Sequence, residues 1–546
     1  MHSGPGRHRS LVVAVMVVAL AAGCSGTASD DTGGPVTSIE QPRQGGTIAI
    51  SIGEPVCADW YGQCGAANVG VLPLQTLPSP MSFVGGRYAP TPLLVGEPTV
   101  DAGPPQRVTY RIDPRAVWSD GTPITSSDFR YSWEQGRTTN VRGMGDIAAV
   151  DDADPKTAVV TWKEPNATWR ERFRPILPRH LLDGKDRTAE MKDGYTFSGG
   201  PWMLDHWDRG QTLKIVRNPG YWGPPPQLDG VVLRVITDLA AVRQAYRSNQ
   251  IDMFIQAGAE PGMEEMRSLP DTGFEAVSSL GYSFLAFNTQ SPPLDRKAVR
   301  QALGHATDRD AIVTQLHGHL RPGVRPIQSL VSLISPDWYS EPFARYRRDL
   351  TKVTDLMRAD GWSKGPDGVW IKADARARIE LLVEASPRFH AIVSQIVESQ
   401  WREAGFEVTV KRATPAAING ELLPRGTFQV AFVGAGGATS DPGQCVRVCS
   451  KNIPTEAARF TGGNVTRITS PVLDEIWSRA DTELDTARRI DLVRRGQAEL
   501  AEEVPMLPMS SIIDAYVWNS SKIGGPVTVG PGVPKLYEWY CRTTCG

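Results

Sequence analysis

One uninterrupted apolar run, Leu11 to Ala22, follows the basic residues Arg7, His8 and Arg9. It is too short to cross a bilayer, which takes about 20 residues, and has the length of a secretory signal core. No other stretch of the 546 residues approaches about 18 consecutive apolar positions, so no second membrane span is expected. The chain beyond the run is therefore expected to fold outside the cytoplasm, in an oxidising compartment. The 58 Lys and Arg against 60 Asp and Glu leave no electrostatic footprint for nucleic acid.

The run ends in Leu20-Ala21-Ala22-Gly23-Cys24. Small residues before a cysteine resemble a bacterial lipoprotein signal, with Leu20 one position earlier than usual. The resemblance implies cleavage of residues 1–23 and lipidation of Cys24, which would hold the chain on the outer face of the cytoplasmic membrane. An ordinary secretory signal beside an unrelated cysteine is the alternative. Loss of Arg7 and Arg9 takes the formal charge from −2 to −4. Residues 24–44 are polar, rich in Gly, Ser, Thr and Pro, and read as a flexible tether.

Seven cysteines less Cys24 leaves three close pairs, Cys57/Cys64, Cys445/Cys449 and Cys541/Cys545. Local disulfides are favoured among the connectivities open to six cysteines, and loops this short shape the chain more than they stabilise it. No histidine sits beside a pair, so a zinc site is not expected.

The remaining chain alternates strands and helices. Thr47–Ser51, Val108–Ile112, Val159–Trp162, 212–217, 231–236, Ser283–Asn288 and Phe428–Val433 read as strands. Helices are expected at Ser126 onward, Ala240–Asn249, Arg296–Leu316, Val353–Asp360 and Val472–Glu502, the last broken near Asp485. A strand at Ile379–Glu384, a helix at His390–Ala404 and a strand at Glu407–Lys411 suggest a parallel pair with a helical crossover. This pattern alone says α/β. The 15 tryptophans fit either core packing or an aromatic-lined cleft.

Several ordered segments are specific. Tyr110-Arg-Ile-Asp-Pro-Arg-Ala-Val-Trp118-Ser-Asp-Gly-Thr-Pro123 leads into Ser126-Ser127-Asp128-Phe129. Gly199-Gly-Pro-Trp-Met-Leu precedes Arg217-Asn218-Pro219-Gly-Tyr221-Trp222-Gly223. Next come Asn249-Gln-Ile-Asp252, Phe287-Asn288-Thr289, Pro292-Pro293-Leu-Asp295 and Val299-Arg300-Gln301-Ala302-Leu303, with Asp308-Arg309 after them. Pro471-Val-Leu-Asp474, Asp485, Arg488-Arg489 and Val504-Pro505-Met-Leu-Pro508 close the set. From about residue 46 to 525 the chain resembles extracellular solute-binding protein family 5, the oligopeptide, dipeptide and nickel receptors of ABC importers.

The resemblance implies a two-lobed periplasmic-binding-protein fold with an extra inserted N-terminal domain. Lobe I would be discontinuous, at 45–75, 191–288 and 506–546, with the inserted domain at 76–190 and lobe II at 289–505. A peptide or other small solute would bind between the lobes and hinge closure would bury it, for reading by the ABC permease subunits. A monomer is expected, with no cofactor.

The same resemblance places ligand contacts after the strand Phe428–Val433, in Phe432-Val-Gly434-Ala435-Gly436-Gly-Ala438-Thr-Ser-Asp441-Pro442. Peptide receptors carry an amine-binding aspartate where this chain has Ala438, so Asp441 is the substitute candidate. The glycines here suit close approach of a ligand backbone better than a nucleotide, because the third glycine of the dinucleotide fingerprint is missing. Trp60, Tyr61 and Tyr282 are the aromatic candidates for the cleft wall, each with core or loop packing as its alternative. Trp401 reads as core. Asp120, Asn218, Asp295 and Arg300 read as turn and capping residues.

No nucleophile elbow, metalloprotease helix or phosphate loop is present, so an enzyme is not expected. His317 and His319 read as a loop pair, and Glu264/Glu265 and Glu502/Glu503 as solvated faces. The alternative to import is an envelope lipoprotein on the same fold that assists cell-wall glycolipid assembly.

Overall fold

β1 (Thr47–Ile52) buries Ile48 and Ile50 and lies between two parallel neighbours near the middle of a ten-stranded sheet. The other strands of that sheet are β2 (Trp202–Asp208), β3 (Thr212–Arg217), β4 (Gly230–Val235), β5 (Met253–Ala257), β6 (Thr272–Phe287), β7 (Arg378–Glu384), β8 (Glu407–Ala413), β9 (Val430–Ala435) and β10 (Met506–Asn519). Their order across it is β8-β7-β9-β6-β10-β5-β1-β4-β3-β2. The computed structural model describes residues 43–546 apart from 63–70, 85, 140, 142, 258–261, 332, 334, 386–387, 436–442, 526–534, 544 and 546. Cys24 and the tether up to residue 42, with Cys64, Gly436, Ala438 and Asp441, lie outside the described residues.

Two long strands join the halves of the molecule. β6 has 16 residues and β10 has 14, and they pair antiparallel from Thr272/Asn519 to Ala286/Met506. Their register shifts between Ser278 and Phe284, which locally raises the twist and re-aims side chains. At one end, Phe284–Phe287 pack with Met506, Leu507 and Met509 in an apolar core that otherwise runs from Leu294 to Val504. At the other, Tyr516 enters a second core built from Ile48–Met253 and the C-terminal Ile523, Leu536 and Trp539. Two cores, each flanked by helices and bridged by two crossing strands, make a two-lobed α/β protein.

Within the second core a four-stranded antiparallel sheet, in the order Thr99–Asp101, Arg107–Arg111, Thr157–Trp162, Ile147–Asp154, carries the helix Ser126–Thr138. Thr125 and Asp128 form a reciprocal capping box at that helix start, and the Asp128 carboxylate also accepts from the Trp118 indole at 3.3 Å. The β7–helix–β8 unit is parallel, with helix Arg388–Glu403 as the crossover.

Two sequence expectations need correction. The single helix expected over Arg296–Leu316 is two, Lys297–Ala306 and Arg309–His317. The break has a local cause. The Thr307 hydroxyl donates back to the Leu303 carbonyl at 2.7 Å, and Asp308 caps a new helix by accepting from the Ala311 N–H at 2.9 Å. The strand expected at Ser283–Asn288 begins at Thr272, eleven residues earlier. Its first part carries Gly273, Ser278, Ser279 and Gly281, which hide the alternation.

Cys445–Cys449 and Cys541–Cys545 are disulfide-bonded, with Cα separations of 4.7 and 5.9 Å. Cys57 is also in disulfide linkage. No helix of the described residues is long and apolar enough to cross a membrane.

Candidate functional site

A cavity of about 750 Å³ opens between the hairpin Met81–Val84/Arg87–Pro90, the segment 171–174, the loop 199–201 and the crossing strand β6, which reaches it at Leu280. Trp60, Phe83, Tyr88, Phe173, Tyr221, Trp222 and Tyr537 supply aromatic wall. Its size is within the range of small-molecule and short-peptide sites.

The floor is held by close backbone contacts. The N–H groups of Gly199 and Gly200 donate to the Thr76 carbonyl at 3.0 and 2.9 Å. The buried Asn218 amide donates to the Gly200 carbonyl at 2.9 Å and accepts from the Gly220 N–H at 3.0 Å. The recognisable Gly-Gly-Pro-Trp and Arg-Asn-Pro-Gly-Tyr-Trp segments thus lock together and carry Tyr221 and Trp222 to the wall. The Trp222 indole donates to the Pro92 carbonyl at 3.3 Å, tying that wall to the strand-exit loop opposite.

A side chain at Gly200 would not fit, because its Cβ would lie 2.6 Å from the Gln75 carbonyl oxygen and 2.9 Å from the Thr76 carbonyl carbon. Both are backbone atoms and cannot swing away. Gly200→Ala is expected to cost about 1–3 kcal/mol of stability by forced displacement of that backbone. Chemical denaturation of the two proteins checks it, and an unchanged midpoint would contradict the close packing.

Among the described residues the charged lining is Arg172, Arg174 and Lys535 against one carboxylate, Glu171. Glu171 accepts from the Tyr88 hydroxyl at 3.3 Å and lies 3.8 Å from Arg172. Arg172 also donates to the Thr168 hydroxyl at 2.7 Å. Lys535 pairs with Glu538 at 3.2 Å. Arg174 is different: it is half-buried, and among the described residues its guanidinium has no hydrogen bond or ion pair. A planar cation with five donors and no internal partner, facing a cavity, can take a carboxylate or phosphate in bidentate fashion.

The residues expected from sequence fall in different places. Trp60 lines the cavity. Tyr61 is 1% exposed, and its hydroxyl donates to the Pro175 carbonyl at 2.6 Å. Burial holds that phenol far above its usual range. Tyr282 is also 1% exposed, with its hydroxyl accepting from Arg447 at 2.6 Å. Gly434 and Ala435 lie on β9, paired with Ser283 and Tyr282, so these three candidates are adjacent across two strands. Gly434 is exposed, and the Ile512 methyl, 3.9 Å from where a Cβ would be, is the nearest atom to it. Gly436 and Asp441 lie outside the described residues. Trp401 is fully buried with its indole donating to Thr307 at 2.9 Å. Arg300 donates to the Glu503 carbonyl at 3.0 and 2.8 Å, and Asp120 accepts from the Thr122 N–H at 2.9 Å, both structural bonds.

Sequence reasoning missed Arg174 and the Met81–Pro90 hairpin. Arg174 sits in Arg170-Glu-Arg-Phe-Arg174-Pro, where three arginines in five residues look alike. Only the fold distinguishes the two with partners from the one without.

A family model for bacterial extracellular solute-binding proteins, family 5, middle region, matches residues 90–452, about two thirds of the chain. A Brucella ovis protein named for ABC-transporter peptide binding is 23% identical over 455 residues, covering 78% of this chain and 82% of its own length. A Mycobacterium tuberculosis protein named for binding monoacyl phosphatidylinositol tetramannoside is 28% identical over 259 residues, covering 45% of this chain and 40% of its own. Among solved structures, a periplasmic EDTA-binding protein superposes with a TM-score of 0.81 at 20% identity, covering 93% of this chain and 99% of its own. The length of the family match, the order of the motifs and the two-lobed fold agree, and the chain belongs to the bacterial extracellular solute-binding proteins of family 5.

Proposed function

We propose that this protein is the substrate receptor of an ABC importer, held at the outer face of the cytoplasmic membrane by a lipid on Cys24. It captures a peptide or peptide-like solute between its lobes and presents the closed complex to the permease subunits. The observation that supports this reading is the 750 Å³ aromatic-walled cavity, which one lobe builds against the crossing strand β6; its lining includes the half-buried Arg174, which has no hydrogen bond or ion pair among the described residues. Aromatic faces pack side chains without reading their sequence, while one guanidinium fixes an acidic terminus. A solute that touches both lobes binds the closed form better and shifts the population toward it.

The second reading is a role in envelope glycolipid assembly, favoured by the relative named for a mannosylated phosphoinositide. An arginine that takes a carboxylate also takes a phosphate, so both readings use the same cation.

Native mass spectrometry of the chain extracted from its own host's envelope, before and after gentle denaturation, separates them. Release of a heterogeneous set of short peptides supports import. A single glycolipid mass overturns peptide import in favour of envelope assembly. The intact mass also reads the anchor: an N-terminus at Cys24 with added acyl chains supports it, and an unmodified cysteine overturns it.

Arg174→Ala is expected to weaken binding of the released solute by about 10- to 100-fold, the value of a charge-assisted bond in a partly desolvated site. Isothermal titration checks it, with Arg174→Lys restoring part of the loss. An unchanged affinity would remove Arg174 from the site.

A further inference from the structure

The hairpin Met81–Val84/Arg87–Pro90 stands apart from the larger sheets. It forms a two-stranded sheet of its own, and two strands alone are marginal in water. Two glycines separate its strands, and Gly86 takes a φ of +84°, the left-handed backbone of a tight hairpin turn. Phe83 and Tyr88 pair across it with ring centroids 5.4 Å apart, and the Thr91 N–H ties its base to the Pro80 carbonyl at 3.0 Å. Every strand residue of this hairpin except Arg87 lines the cavity.

Arg87 instead reaches the other lobe, where its guanidinium meets the Asp337 carboxylate at 2.7 Å. Asp337 precedes Trp338, which packs on the core that runs from Leu294 to Val504. The Asp337 carbonyl accepts from Arg494 at 3.2 Å and the Trp338 carbonyl from Gln497 at 3.3 Å, both on the helix Thr486–Glu503, so the acceptor sits on a fixed platform. Both charged side chains are exposed, and a pair of that kind adds little to overall stability and breaks and re-forms readily. A second bond between the lobes, from the Ala167 N–H to the Asp481 carbonyl at 2.9 Å, runs backbone to backbone outside the hairpin. Among the described residues, none of the cavity lining comes from 289–505. A solute that touches one lobe alone has no differential contact with open and closed arrangements and cannot shift them. A cavity wall fastened to the other lobe supplies that difference.

We propose that the hairpin Met81–Pro90 is a movable wall of the cavity, held in place from the other lobe by the Arg87–Asp337 ion pair. The inference rests on the receptor reading for what the cavity holds and deepens it: lobe position reaches the solute through this hairpin. Separation of the lobes breaks the pair and loosens the wall, and a solute packed against the wall favours the fastened state. Arg87 is thus a positioning residue that touches no solute.

The test uses the mature chain without added solute and has two readouts. Hydrogen exchange followed by mass spectrometry reports the hairpin backbone. The rate at which N-ethylmaleimide labels Leu280→Cys, located by peptide mapping, reports access to the cavity, since Leu280 of β6 is half-buried in its lining. Arg87→Glu sets two carboxylates against each other, and hairpin exchange is expected to rise about fivefold and labelling about threefold. The swap Arg87→Glu/Asp337→Arg is expected to return both rates to within about twofold of the original, and about 1 M salt to shrink the difference between single variant and wild type. No melting temperature is expected to move by more than about 2 °C, because both positions are exposed. Unchanged exchange in Arg87→Glu overturns the fastening. Faster exchange with unchanged labelling overturns the hairpin as a wall that controls the cavity, and a swap that leaves both rates high overturns the ion pair as the cause. No solute enters these measurements, so their failure leaves the peptide reading standing, and failure of the peptide reading leaves them standing.

Discussion

Replacing Arg187 with leucine is expected to destabilise the protein by about 3–5 kcal/mol, the cost of stranding a buried charge. Asp59 is fully buried and Arg187 nearly so, and they pair at 3.0 Å. Arg187 holds Asp59 through Nε and Nη2, donates to Gln135 Oε1 at 2.6 Å, and sits over the Tyr61 ring at 5.9 Å. Without it the carboxylate keeps the Tyr61 N–H at 3.1 Å and the Thr188 hydroxyl at 3.2 Å, and no cation. Asp59 immediately precedes Trp60, so this pair also fixes one aromatic wall of the cavity. Solute affinity should fall together with stability. Denaturant unfolding followed by tryptophan emission measures the first effect. The double replacement Asp59→Leu/Arg187→Leu should recover much of the loss, because removing both charges removes the desolvation cost. A single variant within about 1 kcal/mol of wild type would mean that water reaches Asp59 and that the pair is ornamental.

The pattern of apolar residues is enough to place β1, the β7–helix–β8 crossover and the helix pair broken near Asp485, because in each the buried positions recur at the period of the element. It fails where polar or small residues occupy structural positions for reasons that only tertiary contact supplies. Half of β6 is invisible in the sequence because its glycines and serines face the bulged crossing, and the helix break at Thr307-Asp308 depends on a competing cap. The motifs that identify the family are scaffold. Asn218 bonds Gly200, and Gly199 and Gly200 both bond Thr76 to build the cavity floor, while Arg300 ties a helix start to a distant carbonyl. Arg174 and Asp514 follow the opposite logic: among the described residues neither has a hydrogen bond or an ion pair. Sequence records the type of a side chain, and the lack of a partner is a property of the folded neighbourhood.

That lack of a partner makes Asp514, half-buried on the crossing strand β10 opposite Val277 of β6, a measurable liability. Burial raises its pKa from the ordinary 3.8 to about 6. Between those values the native state holds a proton that the unfolded chain has already released, so stability falls as pH rises through the window and the whole penalty is present above pH 6. A shift of about two units corresponds to about 3 kcal/mol at most, and partial exposure reduces it to about 2. Glu275 is the neighbouring carboxylate on this sheet face, and Tyr516, pushed up to about 12, stays neutral throughout the window. Asp514→Asn is therefore expected to stabilise the ligand-free protein by about 2 kcal/mol at pH 7.5 and by little at pH 4, measured by urea unfolding at both values. Glu275→Gln serves as the control for the neighbouring carboxylate. The same difference at both pH values would show that Asp514 is solvated or paired in solution.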